Sequence, residues 1–478
     1  MFLRAAVVLV TTAFLVGGAQ KPLDPAENAF ATAVSERGLQ QLVRDLVALG
    51  PRMGGTPSGD KAAEFRLAYF KKLGLETAIV DDPAVLAHWE SAWTLAIEPN
   101  GTLESAWPMG YSPSIHPEVE GRIIFVKDLA SAQPSAEWAA AILYTPGSIG
   151  RAYQAVAKSP HKPLAIVTSA PHQPGKYMDA ARLGSLSSRE DNPIAAFAVS
   201  YRDGETLRAA AASGLRTRVS LVSHTRKALV KTTVATLKGS DPSRYWLVCA
   251  HGDSDSGGPG ADDNASGEAT VMEIARVLAA LGAKGQFTPK HSIKFVIWGS
   301  EYHSAKAWID REGAQLANLL GVINFDETGT GAEREAIYFE SNDVPWNKTL
   351  LTTLADVGAD YVGKPGFWPE YVTNPSQGGT DSYAFLPKQY KGTDYTKLQI
   401  PSTTVYTAAW DQLATLEQTP GWEVPGRPGQ RKLEIDYSAY YHSSGDTPGN
   451  TTDREPQNMV RAVKAVGIAL LRLTGARP

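Results

Sequence analysis

Three apolar runs, Tyr245–Ala250, Ser292–Trp298 and Leu320–Phe325, constrain this chain more than any other feature, because helical patterns separate them. A strand with one face in solvent alternates apolar and polar residues, whereas one covered on both faces is apolar almost throughout. Helices predicted at Ser266–Leu281 and near Ala305–Gly313 supply the cover. The alternation therefore predicts an α/β domain, with a mainly parallel sheet between two helical layers. The material for such a core is present: 43% of the 478 residues are hydrophobic. At roughly 150 residues per domain there is also room for a second module. The 46 basic and 50 acidic residues leave a net charge of -4, with no cationic excess to hold a polyanion, which argues against nucleic acid as a partner.

Before the apolar runs, helical spacing covers Asn28–Leu49 and again about Asp60–Leu73, and a strand follows at Leu75–Val80. From Trp93 to Val222 the texture changes to short strand-like runs (Arg122–Val126, Leu164–Val167, Ala195–Val199) divided by Pro, Gly and Ser, which predicts a small β-rich module inserted into the larger domain. The last helix is expected over Pro456–Thr474, and the Pro/Gly-rich stretch Asp411–Asp436 reads as a long loop. At the N-terminus Arg4 precedes an apolar run from Ala5 to Val16 and the small residues Gly17, Gly18 and Ala19, the pattern of an export signal over residues 1–19. A membrane anchor is the alternative, but the run is short for a bilayer core. A secreted or periplasmic protein with no membrane segment after cleavage is the expectation. Cys249 is the single cysteine, so no internal disulfide can form.

In open α/β sheets, ligands gather at the carboxyl ends of the strands. His251 and Asp253 follow the first run, with Asp262 and Asp263 at the start of the next helix; Glu301, Tyr302 and His303 follow the second run; Asp326 follows the third; His442 and Asp446 come near the C-terminal end. Singly, each has an ordinary reading, such as a hydrogen-bonded histidine or an aspartate that caps a helix. Together they offer the imidazole nitrogens and carboxylate oxygens that borderline divalent metals prefer.

The spacing His251-x-Asp253, then Pro259-Gly-Ala-Asp-Asp-Asn-Ala-Ser-Gly267, Glu301, Asp326 and His442-x-x-x-Asp446-Thr447, resembles metallopeptidase family 28, and Pro51-Arg52 with Gly55-Thr56-Pro57 resembles its usual entry. The resemblance implies a three-layer α/β/α zinc-exopeptidase domain with a mixed, mainly parallel sheet, formed by residues 28–91 and 228–478. Residues 92–227 resemble a protease-associated domain. It implies Asp263 as a carboxylate shared by two zinc ions, His251 and Asp326 completing one site, and His442 belonging to the other. Asp253 would orient His251, and Glu301 would be the general base. The tract around Gly379, Thr380 and Asp381 resembles the family's pocket stretch, with Ser382 where a histidine is usual.

One departure stands out: the family's Glu-Glu pair is Glu301-Tyr302 here. Neutral phenol, with a pKa of about 10, is a poor zinc ligand. Three outcomes follow: His303 replaces the lost ligand, or one firmly held zinc suffices and Tyr302 donates to the oxyanion, or a second zinc binds weakly through His442 and Asp263. The implied activity is a zinc-dependent exopeptidase with peptide substrates, an aminopeptidase first. The rivals are a non-catalytic peptide-binding or receptor-like relative, which Tyr302 motivates, and a single-zinc acyltransferase resembling the glutaminyl cyclases.

Overall fold

The computed structural model describes residues 24–475 except 148, 172–176, 332–334, 342–344, 375–378, 386–398 and 408–439. The expected export signal and the expected Asp411–Asp436 loop lie outside the described residues. Helices α1 (Pro25–Ala33), α2 (Glu36–Val47) and α3 (Pro57–Lys72) come first. The helical spacing of 28–49 is thus two helices, because Ser35 takes extended backbone angles and its hydroxyl accepts from the Gly38 N–H to cap α2.

Strands β1 (Glu76–Glu98), β2 (Gly101–Thr102), β3 (Trp107–Pro108), β4 (Ile115–Phe125) and β5 (Ala141–Pro146) follow. Then come α4 (Ile149–Ala157), β6 (Ala165–Ser169), β7 (Ala195–Val199), α5 (Tyr201–Ala212) and β8 (Arg216–Leu237). The chain continues through β9 (Asp241–His251), α6 (Gly267–Ala283), β10 (His291–Trp298), α7 (His303–Glu312) and β11 (Leu319–Phe325). It ends with β12 (Ala336–Glu340), α8 (Lys348–Tyr361), β13 (Glu370–Asn374), β14 (Ser402–Tyr406) and α9 (Gln457–Thr474).

The sheet order is β13-β12-β14-β11-β9-β10-β8-β4-β5-β6-β7-β3, with β1 paired to β8. In the β9 to β14 half, β10, β9, β11 and β14 are parallel, while β8 and β12 enter antiparallel, so the sheet is mixed and mainly parallel. Side chains alternate across it. Val248, Phe295, Ile323 and Phe339 face a core completed by Leu39, Leu46, Ile274, Leu278, Val463 and Ile468. Leu247, Cys249, Val296 and Trp298 face the opposite layer, with Trp308 and Phe385. Cover on both faces is why the three runs carry almost no polar residues. Cys249 is buried there as a small hydrophobe.

The expected short strand at Leu75–Val80 is the start of β1, whose 23 residues pair with β8 from Glu76↔Thr236 to Glu98↔Arg216. Pro83 hides this continuity from a strand reading, since it has no N–H to give the ladder. It sits in an irregularity between Asp82 and Val85, and a second one lies between Glu90 and Ala92. Residues 95–221 bury two clusters of their own on either side of β5, β6 and β7, one with Leu95, Phe197 and Leu207, the other with Leu143, Tyr153 and Ile166. Helices α4 and α5 cover these strands, so the segment is α/β rather than purely β-rich; the alanines of α5, Ala209 to Ala212, gave it little apolar pattern.

A buried ionic cluster ties the entry helices to the strand ends. Glu268 Oε1 accepts from Arg52 Nε at 3.2 Å and Oε2 from Arg66 Nε at 2.5 Å, with all three side chains out of solvent. Arg52 also donates to the carbonyls of Pro259 (3.0 Å) and Gly260 (2.7 Å), and Arg66 to that of Gly252 (2.8 Å). A Cβ at residue 252 would overlap the Arg66 guanidinium, so this approach needs glycine. Removing one partner of a buried pair strands the remaining charge. Glu268→Ala is expected to lower unfolding stability by about 3–5 kcal/mol. Denaturant unfolding would check this, and a loss under about 1 kcal/mol would contradict the cluster's role.

Candidate metal centre

Register brings the site together. Trp298 pairs with His251 and Ile297 with Ala250, while Asn324 pairs with Cys249, so two residues further on Asp326 comes level with His251 at the same sheet edge. Asp263 arrives from the turn 261–266 that opens α6. Asp446 holds that turn, since its two carboxylate oxygens accept from the Asp262 N–H at 2.8 Å and the Asp263 N–H at 3.0 Å. Asp262 points elsewhere, accepting from the Gly329 N–H (2.7 Å) and the Thr330 hydroxyl (2.6 Å).

His251 Nε2 lies 3.3 Å from Asp263 Oδ1 and 3.5 Å from Asp326 Oδ1. The other oxygen of Asp263, Oδ2, lies 3.1 Å from His442 Nε2. One carboxylate therefore faces two imidazoles, one through each oxygen. Zinc–nitrogen and zinc–oxygen distances of roughly 2.0–2.2 Å make a tetrahedron with edges of about 3.3–3.6 Å. The two spacings from His251 Nε2, to Asp263 and to Asp326, match those edges, and Asp326 Oδ1, though buried, makes no hydrogen bond. This donor set fits a divalent cation such as zinc. Ligand atoms of His251, Glu301 and Asp326 also all lie within 4.8 Å of one another, which puts the Glu301 carboxyl beside the same point.

The surroundings fix these groups. His251 Nδ1 faces the Asp253 carbonyl at 3.0 Å and Asp253 Oδ1 at 3.3 Å, which turns Nε2 toward Asp263 and Asp326. Asp253 Oδ1 also accepts from the Glu301 N–H at 2.9 Å, linking the two strand ends. Burial disfavours a charged His251, but Asp326 first, and hydrogen bonds to Asp253 and Asp263 next, push its pKa well above the ordinary histidine value. Burial also raises the Asp263 carboxyl, but hydrogen bonds from His251 and His442 outweigh it and hold the group well below the usual carboxylate range. Glu301 goes the other way: burial, reinforced by Asp381, Asp326 and Asp263 against the opposing His251, holds its carboxyl well above that range. A raised carboxyl beside a cation site is suited to taking up a proton.

The remaining expected residues divide. A cavity of about 640 Å³ is lined by His251, Asp253, Asp263, Glu301, Asp326 and His442 together with Gly379 and Thr380. Asp381 is wholly buried behind them and accepts from the Tyr302 N–H at 3.1 Å. Tyr302 stands edge-on to Tyr383, with ring centroids 6.4 Å apart, and its hydroxyl lies 2.9 Å from where a Cβ at residue 379 would be. His303 turns outward, its Nε2 2.8 Å from the Pro83 carbonyl in the β1 irregularity.

Sequence reasoning missed Glu327. It follows Asp326 directly, and consecutive residues of a strand would point to opposite faces. Its φ of +51° breaks that alternation, so both carboxylates line one cavity. Glu340, Tyr406 and Tyr441, which complete that wall, come from strand ends and a loop whose convergence has no local sequence signal.

Among known proteins, residues 232–467 match the model of Peptidase family M28. Leucine aminopeptidase 2 of Trichophyton equinum is 25% identical over 284 residues, 57% of this chain and 50% of the relative. Leucine aminopeptidase 2 of Arthroderma otae is 24% identical over 367 residues, 74% of this chain and 67% of the relative. The chain thus spans about half the length of the Trichophyton relative. In fold, it resembles a Peptidase M28 precursor from Shewanella amazonensis (TM-score 0.63, 18% identity, 93% of this chain and 95% of that one). It likewise resembles a zinc aminopeptidase from Bacillus subtilis (TM-score 0.59, 18% identity, 92% and 95%). Through residues 232–467, which carry the sheet edge where His251, Asp263, Asp326 and His442 meet, the chain belongs to Peptidase family M28.

Proposed function

We propose that this protein is an exported, zinc-dependent exopeptidase that removes residues from the amino ends of peptides, with Glu301 as general base. The observation that carries the reading is Asp263, whose two oxygens face His251 and His442 while Asp326 closes the His251 side. His251, Asp263 and Asp326 would hold one zinc firmly; Asp263 and His442 would hold a second more weakly, since Tyr302 supplies no carboxylate and His303 is turned to Pro83. Bound there, zinc would supply Lewis acidity and lower the pKa of a coordinated water.

The chain's own residues divide the remaining work. Glu301, beside His251 and Asp326, takes the proton of the attacking water and returns it to the leaving amine. Asp253 keeps the His251 ring in register. The Tyr302 hydroxyl, held against Gly379, is a neutral donor for the developing oxyanion. Glu327 and Glu340 put carboxyl oxygens on the far wall, acceptors that suit the ammonium group of a free amino terminus. Tyr111 and Ser185, from the 92–227 segment, wall the cavity on another side and favour chain ends over the middle of a folded polypeptide. The leucine aminopeptidases among its relatives support the choice of the amino end.

Glu301→Gln keeps shape and hydrogen bonding but cannot take a proton. It is expected to lower kcat on aminoacyl substrates by about 10²–10⁴-fold with zinc content unchanged. Equal rates for the two proteins would instead favour a peptide-binding relative without catalysis. Asp253→Asn should weaken zinc binding by about 10–100-fold in a chelator competition, and an unchanged affinity would remove Asp253 from its orienting role.

A further inference from the structure

The loop that carries His442 is stapled to the 92–227 segment by main-chain bonds. Arg182 and Ser443 form an antiparallel bridge. On its two sides the Leu183 N–H donates to the His442 carbonyl at 2.8 Å and the Ser444 N–H to the Ala181 carbonyl at 2.9 Å. The Ser444 hydroxyl accepts from the Ala181 N–H at 3.0 Å, and the Tyr177 hydroxyl donates to the Tyr441 carbonyl at 3.1 Å. A Cβ at residue 445 would overlap the Tyr440 ring and the Ala180 side chain, so this point of contact needs glycine. The strip itself is anchored: Ala181 and Leu183 pack on Ala198 of β7, and Gly184 and Leu186 bond to Gly110.

His442 needs such support. Its φ of +51° is a left-handed conformation that a side chain disfavours. A residue held there keeps its geometry only while neighbours fix the loop. On the C-terminal side Asp446 supplies the anchor through Asp262 and Asp263. On the other side, among the described residues, the strip at 177–183 holds it through Tyr177 and Leu183.

We propose that residues 177–183 are a positioning arm for His442, so that the 92–227 segment sets the affinity of the second cation position as well as walling the cavity. This rests on the reading of His442 as a zinc ligand. Leu183→Pro removes the N–H that His442 accepts, and the double variant Tyr177→Phe, Ser444→Ala removes the two side-chain bonds. Zinc titration of the full chain by calorimetry, with cobalt absorption as a second readout, would separate a tight from a weaker class of site. Both variants are expected to weaken the weaker class, Leu183→Pro by about tenfold or more, and to leave the tight class unchanged. An unchanged weaker class in Leu183→Pro would overturn the arm, and if that variant does not fold, the same result in the double variant would do so. His442→Ala serves as the control. Loss of the weaker class there, with the arm variants behaving as wild type, overturns the arm alone. No effect of His442→Ala removes the ligand reading and the arm with it.

Discussion

Like charge packed at one sheet edge is the constraint that the rest of the structure serves. Asp262, Asp263, Glu327 and Asp446 are buried, and Glu301 and Asp326 are only partly exposed. Burial first, and neighbouring carboxylates next, hold Glu327 and Asp262 well above the usual carboxylate range; burial likewise pushes Asp446 up to about 7, with Asp263 adding to the rise. Such a gathering persists only where protons or cations balance it. A divalent cation held among His251, Asp263 and Asp326, as proposed, would supply that balance, and the two spacings from His251 already suit it. The Arg52–Glu268–Arg66 cluster then reads as scaffolding, since it grips the carbonyls at 252, 259 and 260 between His251 and Asp263.

Much of this was legible in the sequence for a simple reason. Parallel strands in register deliver the residues after their last apolar positions to one edge, so His251 and Asp326 could be placed from the ends of apolar runs. Asp263 was legible because it stands in a segment with a specific pattern just before a helix. Tyr302 could be seen to break the Glu-Glu pair, but not where its ring would go. That depends on Tyr383 and Gly379, which belong to a distant stretch. Glu327 stayed hidden because alternation predicts that it faces away from Asp326, and only a left-handed residue reverses that.

The long β1–β8 ribbon was also beyond local reading. Its strands pass an irregularity at Pro83 and another beyond Glu90, and they continue from the core of the peptidase half into the core of the 92–227 segment. The two halves therefore share strands, and the segment returns to the His442 loop at Arg182 and Ser443. The 92–227 segment brings walls and backbone contacts to the cavity, while His251, Asp263, Asp326 and His442 come from outside it.

Diffraction from zinc-loaded crystals on either side of the zinc absorption edge tests the centre most directly. A strong anomalous peak between His251 Nε2, Asp263 Oδ1 and Asp326 Oδ1 is expected, with any weaker one near Asp263 Oδ2 and His442. A peak elsewhere, or none in that triangle, would contradict the assignment of this edge as the metal centre.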